Sequence, residues 1–405
     1  MKKSSNTSFT IHIFIFLGLF PFLSIAQATE FDTLVVPSLM DSGMDGWYKI
    51  PPNSGPNIHR AHSVYQGQVF NLLILFRGYS ADQDKNLHVR YDVQIYDPKG
   101  YPTDDKGTDL LAYQGPMGNP QALMLNQQYL KIVFTDKYQL GTYKIKVTAY
   151  DKISGNIFTS ETPIDLIPFE IPEKFESQEE AGAWLMGYYQ NPTPVKAISG
   201  IQTIVQHNPK WVNDNLNILG FFKMIFRDNP FLFKNIAQRF DFFSLEDQKK
   251  LLLIAAISAD SNLEPSIMGE GREELQEFYK KAKEITIPTV TGEITSPVQL
   301  DLLWAEFLTT GQYDPIKKIV SALALSKYRG TIEKLKSGEI GEVTEEINRQ
   351  ADLEATYQSA IWSLVSNCKQ MPLVFMYEYD DLDRDIKSQL GSILRVAQKK
   401  MHDEK

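Results

Sequence analysis

A chain of 405 residues with 50 acidic against 41 basic residues carries a net charge of −9, which disfavours long-range attraction to nucleic acid or to an anionic lipid surface. At 43% hydrophobic and 12% aromatic residues it is composed like a folded protein, and it is long enough for two domains with substantial cores. The single cysteine, Cys368, excludes an internal disulfide; a buried thiol acting as a small hydrophobe is the expectation for it.

The chain opens with Lys2 and Lys3, an almost unbroken apolar run over residues 9–25, and Ala26-Gln27-Ala28. A positive start, an apolar stretch and an A-x-A site together read as a signal peptide over residues 1–28, with cleavage after Ala28. Lys-, Asn- and Ile-rich usage looks bacterial, so the expected location is periplasmic or secreted. Past residue 28, no stretch has the length and apolarity of a membrane helix, so stable membrane insertion after cleavage is not expected.

Residues 29–168 read as strands. Leu87, Val89, Tyr91, Val93 and Ile95 alternate with polar residues, giving a half-buried strand. Asp97-Pro98-Lys99-Gly100 is a type I turn. Tyr143, Ile145, Val147 and Ala149 alternate in the same way, and Pro163 marks residues 157–166 as an edge strand. Residues 69–76 are apolar throughout, as in a strand covered on both faces. Short alternating strands with turn signals predict an immunoglobulin-like β-sandwich. Leu140-Gly141-Thr142-Tyr143 resembles a tyrosine corner, in which the hydroxyl ties back to backbone upstream.

Residues 169–176, with Pro172, form a stiff acidic linker, and residues 177–405 read as an α-helical domain of bundle or helical-repeat type. Ser177 with Glu180, and Ser296-Pro297-Val298-Gln299, give helix-start signatures. Leu300, Leu303, Trp304, Phe307 and Leu308 share one face, while Glu306 points elsewhere. Residues 285–295 are the longest break. Trp184 and Trp304 head similar segments, each ahead of a Pro-led helix, the pattern of a repeated helix pair. An aromatic band over residues 211–243 reads as helix-packing core, or otherwise as an apolar groove for peptide or lipid.

Trp184-Leu185-Met186-Gly187-Tyr188-Tyr189, the Leu302-Leu303-Trp304-Ala305-Glu306-Phe307 helix with Thr310-Gly311, and Ala360-Ile361-Trp362-Ser363-Leu364 resemble a group of exported bacterial proteins. Those pair an immunoglobulin-like N-terminal domain with a helical C-terminal one. The resemblance implies that domain plan and carries no activity, cofactor or functional residue.

The motifs of chemistry are thin. His59-x-x-His62 has no second cluster at zinc spacing, and H-E-x-x-H is absent. Asp82-x-Asp84-x-Asn86 and Asp381-x-Asp383-x-Asp385 begin like calcium loops but carry Leu87 and Ile386 where the loop needs glycine. Ser366-Asn367-Cys368-Lys369 matches S-x-x-K without its companion motifs, and neither a nucleophile elbow nor a phosphate cradle occurs. No catalytic, cofactor-binding or metal-ligating residue is therefore assigned. The expected function is a non-catalytic binding or scaffold protein of the cell envelope, whose partner is an envelope or extracellular protein and not nucleic acid. The alternative is a hydrolase of envelope glycan or peptide using paired carboxylates in the helical domain or between the domains.

Overall fold

The computed structural model describes residues 30–40, 58–117, 123–367 and 382–403. The expected signal peptide at 1–28, Cys368, Lys369 and Asp381 lie outside them. Strands come first: β1 (Asp32–Ser38), β2 (Ser63–Tyr65), β3 (Val69–Arg77), β4 (Asn86–Tyr96), β5 (Pro102–Pro116), β6 (Met124–Leu125), β7 (Leu130–Val133), β8 (Gly141–Asp151) and β9 (Ile157–Ile167).

β3 is central to the smaller sheet, with β1 on one side and β6 and β7 on the other. That explains its unbroken apolar run. Phe70, Leu72, Ile74 and Phe76 point into the main strand core, and Leu73 and Leu75 pack on the opposite face with Val36 and Leu125. The larger sheet runs β2-β9-β8-β4-β5. β4 and β8 alternate buried and less buried residues, so one face of this sheet completes the same core.

An immunoglobulin-like sandwich is nevertheless not what these strands make. They form a curled, half-barrel arrangement. Three register shifts between β4 and β5 coil the sheet instead of leaving it a flat layer. Thr33 on β1 meets Ser160 on β9 at 3.1 Å, so the two sheets join at a corner. β2 adds in parallel to β9, pairing Ser63–Tyr65 with residues 165–167. β9 is therefore internal rather than an edge, although Pro163 lies just outside the three residues that β2 covers. The Tyr143 hydroxyl does donate to the Gln139 carbonyl, at 2.9 Å, as the tyrosine-corner reading requires. This local tie does not depend on the sandwich around it. At the far end of the sheet, Gln127 stands in for a neighbouring strand: its Oε1 accepts from Gln114 N and its Nε2 donates to Gln114 O, both at 3.2 Å.

Helices follow: α1 (Gln178–Gly187), α2 (Lys196–Ile204), α3 (Pro209–Asp214), α4 (Leu216–Asp228), α5 (Phe231–Ala237), α6 (Leu245–Ile257) and α7 (Glu264–Ile267). Then come α8 (Glu273–Ala282), α9 (Pro297–Thr310), α10 (Asp314–Ser321), α11 (Thr331–Ser337), α12 (Glu345–Ser366) and α13 (Arg384–Asp403). Their starts follow the side chains. Ser177 Oγ accepts from Glu180 N at 3.1 Å, and Gln299 Oε1 accepts from Ser296 N at 3.0 Å. Gly311, at φ +69°, ends α9 by donating its N–H to Phe307 O.

The helices share one core running from Tyr188 to Ile393. A stack of repeats would bring together only neighbours in sequence. Here α9 packs on α4 and on α12, both distant along the chain. The two tryptophans of the apparent repeat also differ. Trp184 donates to Thr193 Oγ1 at 2.9 Å, whereas the buried Trp304 Nε1 has no partner among the described residues. The helical-repeat expectation thus fails as well, because the recurring letters mark unlike environments.

Two polar devices sit inside this body. Glu354 is buried and accepts from Gly330 N at 3.0 Å and Ile332 N at 2.8 Å, which fixes the start of α11. Asp247 is buried on α6 and receives Lys174 Nζ at 2.7 Å and Gln202 Nε2 at 3.1 Å. Lys250, also buried, sits 3.7 Å from Asp247 and donates to Gln202 O at 2.8 Å. Burial alone would raise the Asp247 carboxyl, but hydrogen bonds from Lys174, Gln202 and Ser244 hold it below its ordinary value.

A depressed carboxyl stabilises the fold above its unfolded value of about 3.9, and that contribution is lost as pH falls toward the lower native value. Asp247→Asn should therefore cost about 2 kcal/mol at neutral pH, by taking the charge from the acceptor of Lys174 and Gln202 while Lys250 keeps Glu246 at 3.1 Å, and should flatten the loss of stability on acidification. Urea titrations at pH 7 and pH 3 check both. Gly200 on α2 gives a second test, because a Cβ there would lie 2.8 Å from Trp184 and 3.0 Å from Phe222. Overpacking outweighs the few tenths gained in helix propensity, so Gly200→Val should lose about 2 kcal/mol in the same assay.

Candidate functional site

The motifs singled out in the sequence are used locally by the fold. Asp82 Oδ1 accepts from Asp84 N and Asn86 N at 2.9 and 2.8 Å, so this carboxylate shapes the turn into β4. Asp383 Oδ1 accepts from Asp385 N at the start of α13. His59 and His62 lie ahead of β2, where their carbonyls accept from Ser38 Oγ and Asp165 N. Among the described residues no group of three His, Cys, Asp or Glu could hold a metal ion. The aromatic band is core: Phe221, Phe222, Phe226, Phe231, Phe233 and Phe240 are buried, and Phe242 alone of its phenylalanines is strongly exposed, at 82%.

The site that does form lies where strands meet helices. Tyr65, at the end of β2, packs edge-on to Phe169 at 5.6 Å and stacks on Phe231 of α5 at 6.1 Å. Gly67, at φ +81°, lets the turn after β2 come close, since a Cβ there would be 3.2 Å from Phe231 Cβ. Arg239 lies over the Phe169 ring at 5.3 Å and donates to the Phe169 carbonyl. Lys234 of α5 reaches Asp136 at 2.7 Å. These contacts seat the helices on the strand region and leave a cleft of about 580 Å³ beside them.

One wall of the cleft is Leu39, Met40, Val69, Asn71 and Lys131 from the strand region. The floor is the α4–α9 crossing. Gly220 allows that crossing, because a Cβ there would lie 3.0 Å from Leu302. The opposite wall carries Tyr188 and Tyr189 after α1, Pro192 and Pro194, and residues 287–290 of the long break between α8 and α9. Its charged residues are Lys131, Lys223, Arg227, Lys318, Asp228 and Glu306. Four cations thus face two carboxylates, in a chain that is acidic overall.

Arg227 and Asp228 close a two-point ion pair, Nε to Oδ1 at 2.7 Å and Nη2 to Oδ2 at 3.0 Å. Hydrogen bonding to Asp228, with the nearby charge of Glu306 added, holds the guanidinium charged. Burial, and then the negative charge of Asp228, pushes the Tyr188 hydroxyl far up, so it stays protonated. With both Asp228 oxygens held by one guanidinium, the arrangement suits electrostatic holding better than proton transfer. Glu306 was visible in the sequence as the residue off the apolar face of its helix. Lys223 and Arg227 are one turn apart on α4 but lie among its phenylalanines, and Lys318 joins them only through folding, from α10.

No family model matches the chain, and no curated protein is similar to it. Among solved structures, a family 123 glycoside hydrolase from Clostridium perfringens is similar over 36% of this chain and 28% of its own, at 8% identity and a TM-score of 0.21. A likeness of that size carries no argument about fold or activity.

If the aromatic contact at Phe231 seats the two regions, Phe231→Ala should cost about 3–4 kcal/mol and open the cleft. Chemical denaturation reads the first effect. Hydrogen exchange at residues 65–71 reads the second, as faster exchange there than in β4 or β8.

Proposed function

We propose that the protein is a non-catalytic binding protein of the bacterial cell envelope, exported by its leader, and that it holds a segment of a partner protein in the cleft between strands and helices. The observation that carries this reading is the cleft itself. It has apolar walls from both regions, a few charged groups at defined places, and its one Asp locked to an Arg. A second reading has one observation in its favour: Asp228 and Glu306 line the same cleft, as a hydrolase with paired carboxylates requires.

Thr289 is exposed at the cleft wall, so Thr289→Trp narrows the cleft without disturbing the core. Calorimetry with fractionated envelope peptides and glycan fragments should give saturable binding to the parent protein, at least tenfold weaker in the variant, with the ligand recovered intact by mass spectrometry. Cleavage of the ligand that Glu306→Gln abolishes would establish the hydrolase instead. Binding that Thr289→Trp leaves untouched would place the ligand elsewhere.

A further inference from the structure

We infer that the cleft takes an acidic peptide, an extended segment of a partner that presents two or more carboxylates. The inference rests on the cleft being the ligand site and adds the chemistry of what enters it. Arg227 is already answered by Asp228. Lys223 of α4 and Lys318 of α10 line the cleft and have no carboxylate partner among the described residues. With Lys131 and Arg227 they give the cleft four cations against the two carboxylates of Asp228 and Glu306, the reverse of the chain's acidic total. Low-dielectric walls focus their field into the cavity.

The rest of the lining separates a peptide from an acidic sugar. Sugar sites present an open aromatic face for stacking. Here Tyr188 is buried, and the Tyr189 ring packs on Phe307 at 4.8 Å, so both rings are engaged by the protein. The remaining apolar lining includes Met40, Met224, Ile287 and Val290, which suit aliphatic side chains between the charged ones.

The test uses the full chain and three probes: fluorescent hexaglutamate, hexaglutamine and hexagalacturonate. Hexaglutamate should bind at least tenfold more tightly than hexaglutamine, and its affinity should fall as salt rises from about 50 to about 300 mM. The Lys223→Gln/Lys318→Gln double variant should lose about tenfold for hexaglutamate with an unchanged melting temperature, while Lys280→Gln, on α8 and outside the cleft, should lose nothing. Equal binding of hexaglutamate and hexaglutamine, still blocked by Thr289→Trp, would overturn the acidic preference and leave the cleft reading standing. Preference for hexagalacturonate would replace the peptide with an acidic glycan. Binding of none of the three would overturn the inference, and the envelope-fraction experiment would then decide the cleft reading by itself.

Discussion

The contact of Tyr65, Phe169 and Phe231 is the constraint on which the arrangement turns. These rings belong to the last residue of a three-residue strand, the segment leaving the sheet, and a short helix. The connecting segment is fastened again further on. Ser199 donates to the Glu173 carbonyl, and Lys174 reaches the buried Asp247. A stretch that could have been a hinge is therefore tied to α2, α5 and α6 within a few residues. The cleft follows from this, because its walls come from regions whose spacing is set by those ties.

Much of the strand region could be read from period alone. β4 and β8 bury every second residue, and β3 is covered on both faces as its apolar run requires. Their assembly was less legible. Alternation gives the face that each strand buries but not the order in which strands pair, and the curl arises from register shifts between β4 and β5 that leave no mark in hydropathy. The parallel addition of β2 to β9 rests on three residues, too few for any periodic signal. Helix starts at Ser177 and Ser296 were visible because capping is a local bargain between side chain and backbone. The similarity between the Trp184 and Trp304 segments misled, since matching letters conceal a paired and an unpaired indole.

The candidate site was nearly silent in the sequence. Net charge is a property of the whole chain, and an acidic total conceals a few cations drawn together by folding. Lys223 and Arg227 sit inside the aromatic band, where the phenylalanines dominate any reading, and Lys318 lies on a helix far along the chain. The irregular residues 287–290 became lining through the α4–α9 crossing beneath them, which depends on the missing side chain of Gly220.

Gln127 has a wider consequence. A sheet whose last strand shows bare amides and carbonyls invites another chain to join it. By engaging both backbone groups of Gln114 with one side-chain amide, and donating its own N–H to the Ala112 carbonyl, Gln127 covers the lattice at that point with a side chain in place of a strand. Asp104, Asp105 and Lys106 charge the stretch of β5 beyond it. Such a border leaves an approaching copy of the chain fewer free backbone groups to pair with along this edge.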